Sequence, residues 1–484
     1  MGRILFPRAF AFAVDDLGWN EGSDMSRRAF RGPHRAGVKR IFDIKDYQYM
    51  VDVGKAVGTR VQCLFILSEM DRENILAKYP TTTYLRSEWN NTHRVNENQK
   101  VIMNYVRDQA AYMEFGLHGT GHEYWAPNEP QKRAEWYNLN DKKPWPEQSL
   151  REHIQCFKDI MAQYGFTKEN GHSFPESFVP CAYSYYWNPT GDYSLGKLLS
   201  EVGVKYANTD FSQIPELNPP KDINGGDFDF NTHVINRLNY GNVWYELNSL
   251  PRVPLEQQET DIIESHWPNW LAQDDFLQPD VTAAWVDYYK SAQRLPNRYI
   301  AKNTEQLHAQ WLYNKFTRVV ESRPGVVEID NTQMPDKAYS ADLLGNMVLK
   351  LKLEQGEHVS SATVNGELVP AYFEDEGYAF LYLPILDKEK YTVEYTMGSK
   401  VMPLHVFNDG TYNVYNFSER SNVVTIDLKV YGTQTVRVRC KQPLSVVSQN
   451  SNLQIQGFQY TDELLIEVSG RDMQGSTGSI QIKF

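Results

Sequence analysis

The chain has 484 residues, which at roughly 150 residues per domain corresponds to about three domains. Its 49 Lys and Arg against 61 Asp and Glu give a net charge of −12, and 41% of its residues are hydrophobic. That composition supports a large core and excludes disorder, collagen-like repeats and a disulfide scaffold. The acidic balance argues against a nucleic-acid partner, because neutralising phosphates needs a basic face.

No apolar stretch approaches the ~18 residues that a membrane span needs. The sequence opens without a basic region followed by a long apolar one. A chain trimmed of its signal peptide reads the same way, and for that case a periplasmic or secreted location is the expectation. Cys63, Cys156, Cys181 and Cys440 stand in separate segments without C-x-x-C spacing. Cys63 and Cys156 fall in apolar patterns, where buried free thiols are usual.

From residue 8 to about 322, short apolar runs alternate with helix-spaced ones. A strand at 8–14 precedes a helix over 43–57 and a buried strand at 60–67. A helix at 97–111 leads to a strand at 112–117, and one at 149–164 to a strand at 177–180. A helix at 195–202, strands at 204–207, 243–247 and 261–264, and helices at 280–293 and 304–321 complete the series. Strands apolar on both faces and alternating with helices mean a parallel sheet. About seven of them in some 320 residues suit a closed barrel.

After residue 324 the period becomes two, with runs at 348–353, 379–383, 391–395, 423–430, 435–440 and 464–468. Such runs, separated by turn pairs such as Asn365-Gly366 and Asp409-Gly410, predict antiparallel β-sandwich. Two modules are expected, 323–400 and 401–484, after a barrel over 1–322. The stretches 123–148 and 211–242 read as long loops, and loops of that length tend to be functional or disordered.

Three polar features follow predicted strands, at the end where parallel-sheet folds place their sites. Asp15-Asp16 follows the first strand, and two acids leaving water need a cation or donors. His118-Gly119-Thr120-Gly121-His122 follows the strand at 112–117. Histidines at i and i+4 converge on one ion if the backbone makes a single turn. Asp with two His is an open N/O set suited to catalytic Zn²⁺, with Co, Ni or Mn as alternatives. Ser265-His266-Trp267 follows the strand at 261–264.

This ordered set, Asp-Asp, then H-G-x-x-H, then a lone late His, resembles the polysaccharide deacetylases of carbohydrate esterase family 4 over residues 5–270. The resemblance implies an α/β fold, a distorted (β/α) barrel of about seven strands, and hydrolysis of N- or O-acetyl groups on sugars. Carried over by position, Asp15 matches the catalytic base, Asp16, His118 and His122 the metal ligands, and His266 the general acid. Gly119 departs from the family's Ser or Thr. The family's Arg-x-Pro segment is represented by Phe178-Val179-Pro180-Cys181, which has the proline and lacks the arginine that holds the base. Asp210 is the candidate acid for tuning the late histidine.

Trp19, Trp125, Trp187 and Trp267 follow the strand ends in sequence, with Tyr183 beside them, and indole and phenol rings pack on pyranose faces. They predict a groove for an acetylated oligo- or polysaccharide. Hydrolysis of another amide, ester or glycosidic bond, and glycan binding on an inactive barrel, are the alternatives. The sequence leaves the oligomeric state open.

Overall fold

The computed structural model describes residues 3–20, 42–92, 97–127, 134–188, 193–213 and 219–484. Parts of the two long loops, 128–133 and 214–218, lie outside them. Seven parallel strands form a ring: β1 (Arg8–Leu17), β2 (Val61–Ile66), β3 (Met113–Gly119), β4 (Ser177–Phe178), β5 (Tyr206–Thr209), β6 (Thr232–Leu238) and β7 (Ile262–His266). They pair in chain order, and β7 closes the ring by lying in register with β1, Ala11 opposite Ile262 through Asp15 opposite His266. Two short strands extend it: Arg298–Ile300 runs parallel to the start of β1, and Gly226–Asp229 antiparallel to β6.

The connecting helices are amphipathic and cover the outside. In α1 (Ile44–Val57) the Asp43 side chain caps the first turn, Tyr47, Met50, Val51 and Val53 face inward, and Gly58 at φ 67° ends the helix. The others are α2 (Glu97–Asp108), α3 (Glu147–Ala162), α4 (Leu195–Glu201), α5 (Gln278–Arg294) and α6 (Thr304–Phe316). Among the described residues no helix is long and apolar enough to cross a membrane.

Two expectations are corrected here. Residues 243–247 are turns, and the sixth barrel strand is Thr232–Leu238, inside the stretch read as a loop. Its sequence THVINRL carries Asn236 and Arg237, which break the apolar pattern and yet are buried. The last helix ends at Phe316 rather than 321, and Arg318–Arg323 already belongs to the β-region.

Beyond the barrel, three antiparallel-rich sheets share one apolar core with its base. A five-stranded sheet holds strands between Arg318 and Gly398, and a four-stranded sheet those between Asn413 and Lys483. Against both lies a single eight-stranded sheet that crosses residue 401 without a break, Ala371–Asp375 pairing in parallel with His405–Phe407. The edge strand of that sheet is Ile4–Leu5, which precedes the barrel in the chain and pairs with Val348–Lys352. Helix α6 lies between barrel and sheets, buried along Thr304 to Tyr313. Lys429 from the four-stranded sheet reaches Glu305 of α6 at 2.9 Å and Glu176 before β4 at 3.0 Å. These charges are paired where they are desolvated, as burial requires.

Candidate functional site

A regular strand sends successive side chains to opposite faces, so adjacent acids would point apart. In β1 the register with β2 shifts between Val14 and Leu17, and Asp16 sits in the left-handed region at φ 70°. This bulge lets Asp15 and Asp16 serve one site. His122 (φ 68°), Ala182 (φ 51°) and Tyr183 (φ 59°) share that conformation at the carboxyl ends of neighbouring strands. For residues other than glycine it costs about 1–2 kcal/mol each, and such outliers gather at functional sites.

The His118–His122 loop is moulded from beneath by Glu135, a residue the sequence reading passed over. Its carboxylate accepts the backbone N–H of Thr120 at 2.8 Å, of Gly121 at 3.3 Å and of His122 at 2.8 Å. His153 Nδ1 on α3 lies 2.8 Å from the same carboxylate. The Glu135 carboxylate also accounts for Gly119, because a Cβ there would overlap it. At Gly121 a Cβ would stand 2.5 Å from the Thr82 carbonyl oxygen.

Three polar atoms converge above this loop. Asp16 Oδ1 is buried without a hydrogen bond and lies 3.4 Å from His118 Nε2 and 3.9 Å from His122 Nε2. His118 Nδ1 donates to the Val179 carbonyl at 2.8 Å, and His122 Nδ1 lies 3.2 Å from the Glu123 carboxylate. Both Nδ1 atoms are thus occupied as donors, which leaves each Nε2 facing Asp16. Burial raises the Asp16 carboxyl, but the imidazoles of His118, His122 and His266 outweigh it and hold the group below the usual carboxylate range. Burial lowers His118, yet the carboxylates of Asp15 and Asp16 raise it above its ordinary value.

His118, His122 and Cys181 also bring ligand atoms within 4.8 Å of one another, a group able to hold a metal ion. Cys181 Sγ points at the His118 carbonyl oxygen, 3.2 Å away. Burial, with Glu135, Asp16 and Asp15 nearby, pushes its thiol well above the usual range. Asp16 Oδ1 and Cys181 Sγ are thus the two candidate third donors beside the histidines. All four cysteines are buried and free.

The arginine absent from the segment after β4 is replaced from β6. Arg237 donates to both oxygens of Asp15, at 2.9 and 2.6 Å, and lies 3.7 Å from Glu264 Oε2. Burial lowers Arg237, and the two carboxylates more than restore it, raising it above its ordinary value. Glu264 accepts the Tyr183 hydroxyl at 2.7 Å and stands 3.9 Å from His266 Nδ1. Glu264 and His266 are two apart on β7 and so share a face. The acid beside the late histidine is therefore Glu264 and not Asp210, whose oxygens take Ser212 and Gln213.

The expected aromatic groove is corrected. Trp19, Trp125, Trp187 and Trp267 are only 2, 3, 7 and 1% exposed. Trp267 is a core residue, packed on Phe42 and Tyr47 at ring distances of 4.6 and 4.7 Å. Trp19 lies against the His122 ring at 5.0 Å, and Trp125 packs on the edge of Tyr84. Trp187 walls a narrow slot with Tyr183, Tyr185 and Phe211. Tyr183 reaches the site, its hydroxyl committed to Glu264.

Neither the protein-family models nor the curated proteins compared with the chain match it.

Proposed function

We propose that the chain is a metal-dependent hydrolase that removes acetyl groups from a carbohydrate. The observation that carries this is the convergence of Asp16 Oδ1, His118 Nε2 and His122 Nε2, drawn from two separate strand ends, with both Nδ1 atoms tied back. Three N/O donors with room for exchangeable positions suit catalytic Zn²⁺, Co²⁺, Ni²⁺ or Mn²⁺. When bound, such an ion lowers the pKa of water toward about 7 and polarises an acyl carbonyl.

The remaining work falls to side chains of the chain itself. Asp15 keeps lone pairs free on both oxygens beyond its two bonds to Arg237, and takes the proton of the attacking water. The guanidinium fixes the carboxylate plane, so the base meets the water in one orientation. His266, in register with Asp15 across the β1–β7 pair, delivers a proton to the departing amine or alcohol of the sugar. Glu264 places its negative charge 3.9 Å from the Nδ1 of that imidazole. An inactive glycan-binding barrel was suggested by the missing arginine, and Arg237 removes that reason. Carbohydrate is named as substrate on the ordered likeness of the motifs, since the four tryptophans are almost wholly buried.

The test is acetate release from a panel of acetylated glycans, with and without chelator, alongside elemental analysis. One divalent ion per chain, lost in Asp16→Ala and His122→Ala, is the expected result. Asp15→Ala should keep the ion and release no acetate. A wild-type protein that takes up no metal would end the proposal.

A further inference from the structure

We propose that Glu135 is a positioning residue for the metal-holding loop, acting through the backbone of Thr120, Gly121 and His122 and braced by His153. The inference rests on the metal reading above. Successive backbone N–H groups that point into one concavity make an anion site. In most proteins such a nest receives a ligand; here the protein fills it with its own carboxylate, fully buried.

A closed circuit of bonds surrounds that carboxylate. Thr120, Gly121 and His122 donate to it from the loop, at 2.8, 3.3 and 2.8 Å. His153 Nδ1 approaches from α3 at 2.8 Å, and because a carboxylate only accepts, that nitrogen carries the hydrogen. His153 Nε2 then takes the Thr81 hydroxyl at 3.0 Å, and Thr120 Oγ1 donates to the His153 carbonyl at 2.9 Å. The loop backbone is thereby tied to α3 at two places. His122 leaves this clamp at φ 68°, the turn that swings its ring over Asp16. No other described group in this circuit supplies three acceptor positions at once. Gly119 completes the arrangement by leaving the carboxylate its space.

A glutamine at 135 has the same shape but one acceptor oxygen, and its NH₂ would face a backbone N–H. The loop must then give, and the His118–His122 spacing with it. Zn²⁺ affinity of the full-length protein, measured by competition with a chromophoric chelator, should fall about 10–100-fold in Glu135→Gln, the range typical for groups that orient metal ligands. The visible absorption of the Co²⁺-loaded variant should shift, and a purely scaffolding role would not move it. His153→Gln keeps the carboxylate and should lose affinity less, so it carries the test if Glu135→Gln does not fold. Unchanged Zn²⁺ affinity and Co²⁺ spectrum in a folded variant overturn the positioning role while leaving the metal reading standing. A wild-type protein that binds neither ion overturns both.

Discussion

Arg237 and Asp15 stand 222 residues apart in the chain and meet as a two-pronged pair, the guanidinium nitrogens 2.9 and 2.6 Å from the two carboxylate oxygens. Both are buried, and the same guanidinium lies 3.7 Å from Glu264. One cation therefore fixes the proposed base and compensates the charge of the acid beside His266. Arg237→Lys keeps the charge and loses the planar fork. The expected outcome is a fall in kcat of about 100-fold, the scale of a misplaced reacting group, with the bound metal retained. Kinetics and elemental analysis on the same preparation check it.

Trp267 separates core from binding surface. Trp267→Ala should destabilise the protein by about 3–5 kcal/mol, as truncation of a buried aromatic does. Trp267→Phe should cost far less. Urea unfolding gives the free energies, and activity of the Phe variant at full occupancy of the folded state should match the wild type.

Acid should weaken the fold through buried histidines. His233 and His308 meet through their Nδ1 atoms at 3.0 Å where β6 packs on α6. Burial, the neighbouring His308 and Lys315 hold His233 well below its ordinary value, and burial takes His308 down to about 3. Both folded values lie below the unfolded one near 6.5. Their contribution is therefore complete above pH 6.5 and is lost as pH falls below it, for His308 down to about 3. The slope is about 1.4 kcal/mol per pH unit for each histidine. Urea midpoints between pH 7 and 4.5 should trace this loss, and His308→Gln should flatten it.

Gly119→Ala adds a methyl group where the Glu135 carboxylate lies. Overpacking of this kind costs about 1–3 kcal/mol, and here it strikes the His118–His122 loop. Thermal unfolding and Zn²⁺ titration should both register it, whereas Gly203→Ala, with open space around its Cβ but a positive φ of 97° that a side chain strains, should affect only the first.

The parts of the fold written in the sequence are those where local preference and tertiary role agree. RAFAFAV reads as a strand because it is buried on both faces, and the Asp43 cap and Gly58 stop bound α1 within a residue or two of expectation. β6 was illegible for the opposite reason: Asn236 holds the turn at Phe211, Arg237 reaches across to Asp15 on β1, and the two spoil the apolar pattern. Asp15, Asp16, His118 and His122 stood out as polar groups after apolar runs. Glu135 and Glu264 could not, since a carboxylate gains its meaning from donors that arrive from other strands. Trp267 misled because nearness to a strand end in sequence says nothing about which way a ring turns. Arg237, a lone cation among the apolar residues of THVINRL, is the available clue to the missing arginine, hidden as long as the run reads as loop.

The strand Ile4–Leu5 hydrogen-bonds to Val348–Lys352, yet β1 begins only a few residues after it. During synthesis at about 5–20 residues per second, the early segment waits tens of seconds for a partner that has not been made. Until then the exit of the ribosome holds a ring whose base, including α6, has no cover. Truncation after the barrel would make that interim state permanent, leaving the apolar base of the ring and α6 open to water.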